Sequence, residues 1–202
     1  MLESITKAKA TLIIEQPFFA SLLLGMPMHE TTAIPTCATD GKMILYNPEY
    51  MSTLKEQEVV FVLAHEVMHC ALMHMFRFGA RDKQKANIAA DFVVNDILVN
   101  EKVGTINANW LYDPKIVRAG GGTMEGVYDL LPDPPKDGGA GDKGMAQDEV
   151  MDSPGDAASK EQDAAEMRVK IVQAANAAKM AGKLSANMKR LVGELVRSTV
   201  DW

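Results

Sequence analysis

Hydrophobic and polar positions divide the chain into stretches of different character. Residues 2–15 read as a helix with Glu3 near its start, and Pro17 separates it from a second, short apolar helix at about 18–24. Between 32 and 47, β-branched and polar residues flank Asp40-Gly41, a strong hairpin-turn signal, which predicts two paired strands. From Lys55 to Phe78 there is neither proline nor glycine, and apolar side chains crowd nearly every face. A helix apolar all round is a buried helix, and Gly79 is its expected end. A further helix from about Gln84 to Asn100 is apolar on more than one side, through Ile88, Phe92, Val94 and Leu98 among others.

Beyond Val103 the pattern turns loop-like, with Asp113-Pro114 and the glycine run 120–122, followed by a short helical stretch closed by Pro132. Residues 133–159 are rich in Pro, Gly, Asp and Ala and contain no aromatic residue, the composition of a mobile linker. Two more helices follow at 160–182 and 185–198, the second amphipathic through Leu184, Met188, Leu191, Leu195 and Val196. The expected organisation is one domain over 1–132, a flexible linker over 133–159 and a C-terminal helical segment over 160–202. The expected fold class is α+β: mostly helical, with a small β-hairpin or sheet and a buried helix packed on a second long one.

Composition removes several classes of function. The 202 residues carry a net charge of −6, with no basic run interleaved with aromatics, so no nucleic-acid partner is expected. Cys37 and Cys70 are too few for a disulfide framework and too far apart for a CxxC motif, which suits a reducing compartment. The apolar N-terminal stretch is interrupted by Glu3, Lys7, Lys9 and Glu15 and lacks a cleavage site. A cytoplasmic protein that does not enter the membrane is therefore expected. The 14 methionines read as core filler.

The chemistry concentrates in the apolar helix, where His65-Glu66-Val67-Met68-His69 matches H-E-x-x-H. Histidines four apart are rotated by only about 40° on a helix, so both imidazoles can reach one metal ion. Glu66 sits about 100° round, placed to take a proton from a metal-activated water without itself being a ligand. An unpaired ionisable group inside such a helix is costly, which favours a metal over paired surface histidines.

A catalytic zinc needs a third protein ligand, and Asp91 is the best candidate, on the helix that should pack against the first. Asn87, Asp91 and Asn95 recur every four residues as one polar stripe. Asn95 then supports a ligand or contacts substrate. The bland alternative is that Asp91 is a buried helix-pairing acid, and Asp96 is the next choice although it points about 140° away. His74, two and a half turns from His65, is expected on the opposite side of the helix as a packed or hydrogen-bonded residue. His29 is expected on the surface and Cys70 in the core. Tyr46, Tyr112 and Asn95 are the candidate oxyanion donors.

In order, Asp40-Gly41-Lys42, Tyr46-Asn47-Pro48, His65-Glu66-x-x-His69-x-x-x-x-His74-x-x-Arg77 and Ala90-Asp91-x-x-x-Asn95 resemble the metallopeptidase domain found N-terminal to von Willebrand factor A-like domains. The likeness covers about residues 1–132. It implies a zincin-like fold, with the HExxH helix packed on a second, ligand-bearing helix. It also implies that the strand at about 42–47 is a sheet edge to which an extended peptide could add. Relatives of this kind are thought to work with AAA+ ATPases of the MoxR type. The family pattern usually continues from a segment resembling Asp201-Trp202 into a von Willebrand A-like domain, and this sequence ends there.

The expected function is therefore a zinc-dependent metallopeptidase that hydrolyses a peptide or protein through a metal-activated water. Its ligands would be His65, His69 and Asp91, with Glu66 as general base. The alternative is a catalytically weak or inactive metal-stabilised adaptor, working with a von Willebrand A-like domain or an AAA+ ATPase.

Overall fold

The computed structural model describes residues 2–133, 149–151 and 156–197. Helices α1 (Leu2–Glu15) and α2 (Pro17–Leu24) are followed by strands β1 (Met28–Glu30), β2 (Cys37–Thr39) and β3 (Ile44–Tyr46). Next come α3 (Pro48–Thr53), α4 (Glu56–Ala71), a 3-10 turn (His74–Phe76), α5 (Lys83–Asn100), α6 (Pro114–Ala119) and α7 (Met124–Leu130). A two-residue strand β4 (Glu149–Val150) precedes α8 (Ala157–Met180) and α9 (Ala186–Arg197). The chain is thus mostly helical with a small sheet, as its patterning predicts.

The core forms around α4, every residue of which from Glu58 to Ala71 is buried. Contacts with α1, α2, α5, α8 and β2 surround it. Full burial of a Leu, Val, Phe or Met side chain stabilises by roughly 1.5–3 kcal/mol before entropic costs, so α4 is held by its environment rather than by helix propensity. The Glu56–Phe76 stretch is long and apolar enough to cross a membrane, but 94% of its most apolar window is buried within the fold. Glu58 fixes its start: one carboxylate oxygen accepts from the Lys55 amide at 2.8 Å, the other from Asn107 Nδ2 at 3.0 Å.

The expected hairpin is present, and Asp40-Gly41 is its turn. Asp40 Oδ1 accepts from the Lys42 and Met43 amides at 2.8 and 2.9 Å, and Gly41 takes φ +85°, a conformation that suits glycine. β2 and β3 pair antiparallel, while β1 adds to β3 and β4 to β2, both parallel, giving the order β1-β3-β2-β4. The strand at 42–47 is therefore not the sheet edge that the family likeness implies. β1, which has no alternating apolar pattern to announce it, fills the side of β3 that a peptide would need.

Most of the expected linker, 133–159, lies outside the described residues, as does Asp201-Trp202; within the linker, β4 joins the sheet and α8 begins at Ala157. Ala164, Met167 and Ile171 of α8 and Met188 of α9 belong to the same hydrophobic cluster as α4. Helices α3 and α6, each opened by a proline at its first turn, were not expected; both are six residues long, too short for a periodic pattern to register.

The exit from α5 is tied back to the start of α4. Gly104, at φ +63°, lies so close to that first turn that an added Cβ would stand 2.5 Å from the Gln57 carbonyl oxygen and 2.7 Å from the Phe61 nitrogen. Thr105 donates to the same Gln57 carbonyl at 3.0 Å. Gly104→Ala is expected to destabilise the fold by about 1–3 kcal/mol, read as a lower urea midpoint with unchanged m-value. An unaltered midpoint would show that this loop yields without cost.

Candidate metal centre

His65 and His69 stand one turn apart on α4, 1% and 0% exposed, and face α5. From α5, Asp91 enters the same space, fully buried, its Oδ1 lying 3.2 Å from His69 Nε2 and 3.5 Å from His65 Nε2. The two Nε2 atoms are 2.8 Å apart. One donor atom from each of the three residues thus lies within 4.8 Å of the others.

The far side of each imidazole is held as a metal ligand requires. His65 Nδ1 donates to Asn95 Oδ1 at 2.8 Å, leaving a lone pair on Nε2, and Asn95 Nδ2 donates to the Leu111 carbonyl at 2.7 Å. His69 Nδ1 meets His74 Nδ1 at 3.0 Å. For His69 Nε2 to be free for a cation, its Nδ1–H must donate to His74, whose own proton then sits on Nε2.

Electrostatics favour a cation at the convergence point. Burial, reinforced by His65, pushes His69 down to about 4, so the ring is neutral near pH 7 and able to ligate. Burial, with His69 and Arg77 adding to it, likewise pushes His74 well below its ordinary value. Burial on its own would raise the Asp91 carboxyl, but the adjacent His65 and His69 imidazoles outweigh this and hold it below the usual carboxylate value. An ionised carboxylate among neutral imidazoles, buried from bulk solvent, is a donor set whose charge a divalent ion would offset.

The residues singled out from the sequence are mostly brought together here. His65, His69 and Asp91 converge, Asn95 supports His65, and Glu66 is buried on α4 beside them. Asp96 is half-buried and turned toward Asn100, away from the cluster. The Tyr46 hydroxyl is directed at Glu30, and both ends of the Asn95 amide are engaged, so neither is poised as an oxyanion donor. His29 is exposed on β1 and Cys70 is buried, as expected; burial pushes the Cys70 thiol up to about 12, and it stays protonated.

His74 departs from expectation. It does not ride the far side of α4, because the helix stops at Ala71 and Met73 takes a left-handed conformation at φ +58°. That reversal resets the helical phase and folds His74 back onto His69. No proline or glycine marks the break, so nothing in the residue pattern gives it away. A cavity of about 490 Å³ between the end of α4, α7, α8 and α9 reaches His74 but is lined by none of His65, His69 and Asp91.

Comparison with known proteins agrees with this geometry. The family described as "Putative metallopeptidase domain" matches residues 2–112 and 129–202, and the chain belongs to it. A protein of Thermotoga maritima, itself described as uncharacterized, is similar at 33% identity over 104 residues. The aligned part is 48% of this chain and 26% of that relative, so the chain spans about a quarter of the relative's length. No solved structure matches.

Two substitutions test the centre. Asp91→Ala should abolish tight binding of a divalent metal, measured by competition with a chromogenic chelator; full affinity would remove Asp91 from the ligand set. His74→Ala should weaken metal affinity about 10–100-fold by freeing the His69 ring, and an unchanged affinity would reduce His74 to packing.

Proposed function

We propose that the chain is a zinc-dependent peptidase in which His65, His69 and Asp91 hold the metal and Glu66 is the general base. One observation carries the reading: two histidines of an H-E-x-x-H helix and a carboxylate from the next long helix offer three buried donor atoms within 4.8 Å of one another. Two nitrogens and one oxygen suit zinc, and three protein ligands leave a position for a reacting group. Zinc held there would supply a Lewis acid that polarises the scissile carbonyl and eases loss of a proton from the attacking water.

The protein's own residues do the rest. The Glu66 carboxylate takes one proton from the water as its oxygen bonds to the carbonyl carbon, and returns that proton to the departing nitrogen as the C–N bond breaks. Asn95 and His74 keep the two imidazoles turned so that Nε2 of each faces the centre. The proposal extends to a peptide or protein as substrate, and to a von Willebrand A-like domain or MoxR-type ATPase as a working partner. The two free cysteines, both buried, suit a reducing compartment, and a cytoplasmic location belongs to the same proposal.

A second reading, the metal-stabilised adaptor, is favoured by one feature: His65, Glu66, His69 and Asp91 are all at most 1% exposed. The two readings diverge at Glu66. Elemental analysis should find about one zinc per chain, the number a single three-ligand site holds. That zinc should be kept by Glu66→Gln and lost by His65→Ala. Peptide hydrolysis should fall about 10²–10⁴-fold in Glu66→Gln. Hydrolysis equal to that of the unmodified chain would remove Glu66 from the mechanism, and zinc without any hydrolysis in either protein would move the adaptor ahead.

A further inference from the structure

β4 occupies a particular place. With β3 covered by β1, the edge of the sheet beside the metal centre is that of β2, and β4 lies along it in parallel register, Glu149 opposite Ala38 and Val150 opposite Thr39. The Met151 amide donates to the Thr39 carbonyl at 2.9 Å. The Val150 amide donates not to the sheet but to Asn87 Oδ1 of α5, at 3.0 Å.

Both anchors stand next to the chemistry. Asn87 lies one helical turn from Asp91 on the same face of α5, about 6 Å along the axis. Thr39 Oγ1 is 3.6 Å from Cys70 Sγ, and Cys70 shares its face of α4 with Glu66, four residues earlier. The face of α4 that carries the general base therefore looks toward the end of β2 that β4 covers. An extended backbone held between Thr39 and Asn87 is bound as a peptide would be, by main-chain hydrogen bonds that read no side chain. The opposite edge of the sheet, on β1, is largely exposed and carries no such side-chain anchor among the described residues.

We propose that the β2 edge, with the Thr39 carbonyl and the Asn87 side chain as its backbone contacts, is the binding site for an extended peptide, and that Glu149–Met151 is its internal occupant, displaced when a substrate binds. This rests on the peptidase reading for the fate of the peptide, but the binding and its internal competitor are separable from hydrolysis. Val150, 8% exposed, is buried where its amide meets Asn87 of α5, one helical turn from Asp91. The occupant is short. A two-residue strand, held by its parallel ladder with β2 and by the bonds of Met151 to Thr39 and of Val150 to Asn87, is secured far less than α4 is by its packing, which places β4 at the low end of local stability.

Two measurements test this on the full chain. In hydrogen exchange of the unmodified protein, the Val150 and Met151 amides should exchange at least about 100-fold faster than those at the centre of α4, as expected of a locally opening segment. Protection equal to that of α4 would make β4 permanent structure and overturn the proposal. In the second, a fluorescein-labelled peptide with the sequence of residues 147–153 is titrated into zinc-loaded protein carrying Glu66→Gln, with and without Val150→Pro, and binding is read by anisotropy. Val150→Pro removes the donor to Asn87 and should tighten binding at least tenfold; adding Asn87→Ala should reverse much of that gain. Equal affinity with and without Val150→Pro overturns the proposal, as does an absence of binding by a Val150→Pro protein of unchanged circular dichroism. Should Val150→Pro fail to fold, Met151→Pro, which removes the donor to Thr39, takes its place with the same expected gain. Binding that tightens as expected while the Val150→Pro protein with Glu66 intact cleaves no peptide would leave this proposal standing and sink the peptidase reading alone.

Discussion

The contact between α4 and α5 is the constraint on which the rest of the structure depends. It brings Asp91 against His65 and His69 and buries Glu66 in the same helix, at a depth where water cannot solvate an ionised carboxylate. Groups of this kind are tolerated in a core only when their charge is balanced and their hydrogen-bonding atoms are met. The surroundings meet the second condition only in part: Asn95, itself held by the Leu111 carbonyl, meets His65, and His74 meets His69, while both Asp91 oxygens and His74 Nε2 are buried without a hydrogen-bond partner. The first condition, charge balance, is what a divalent ion would add.

Rigid support follows from the same arrangement. Because α4 is surrounded by α1, α2, α5, α8 and β2, its histidines sit on a helix enclosed by the rest of the fold. The exit from α5 is pinned to the first turn of α4 at Gly104 and Thr105, so the two ligand-bearing helices are fixed both at their crossing and at one end. A ligand set held this way needs little reorganisation to receive a metal, which is how a scaffold contributes to affinity and catalysis without touching the substrate.

Much of this was legible in the residue pattern, and the limits have physical causes. The polar residues of α4 and α5 stand out because they interrupt helices that are otherwise apolar, so helical spacing alone identified the stripe Asn87, Asp91, Asn95 and the pair His65, His69. The hairpin turn was legible because Asp40 and Gly41 each have one conformational use there. Helical phase carried through Met73 misplaces His74, because the left-handed backbone of Met73 is imposed by tertiary packing and not by any preference of methionine. β1 and β4 escaped notice because strands of three and two residues have no period to read. The pairing of β4 with β2 joins residues more than a hundred positions apart, a relation that no local pattern encodes.

A helix that is both the core and the site creates a problem of access, because the histidines cannot be exposed by moving α4 without unfolding the protein. Any route to the centre must open from the elements that hold least, and these lie at the periphery. α8 packs along α2 and contributes Met167 and Ile171 to the core, so lifting it would expose a large apolar surface. β4 contributes the buried side chain of Val150 and is held by main-chain bonds along β2 and to Asn87. An incoming peptide can replace those bonds as it displaces the strand. The exchange is then nearly balanced in hydrogen bonds, and occupancy of the edge is decided by side-chain fit and by the higher effective concentration of the tethered strand.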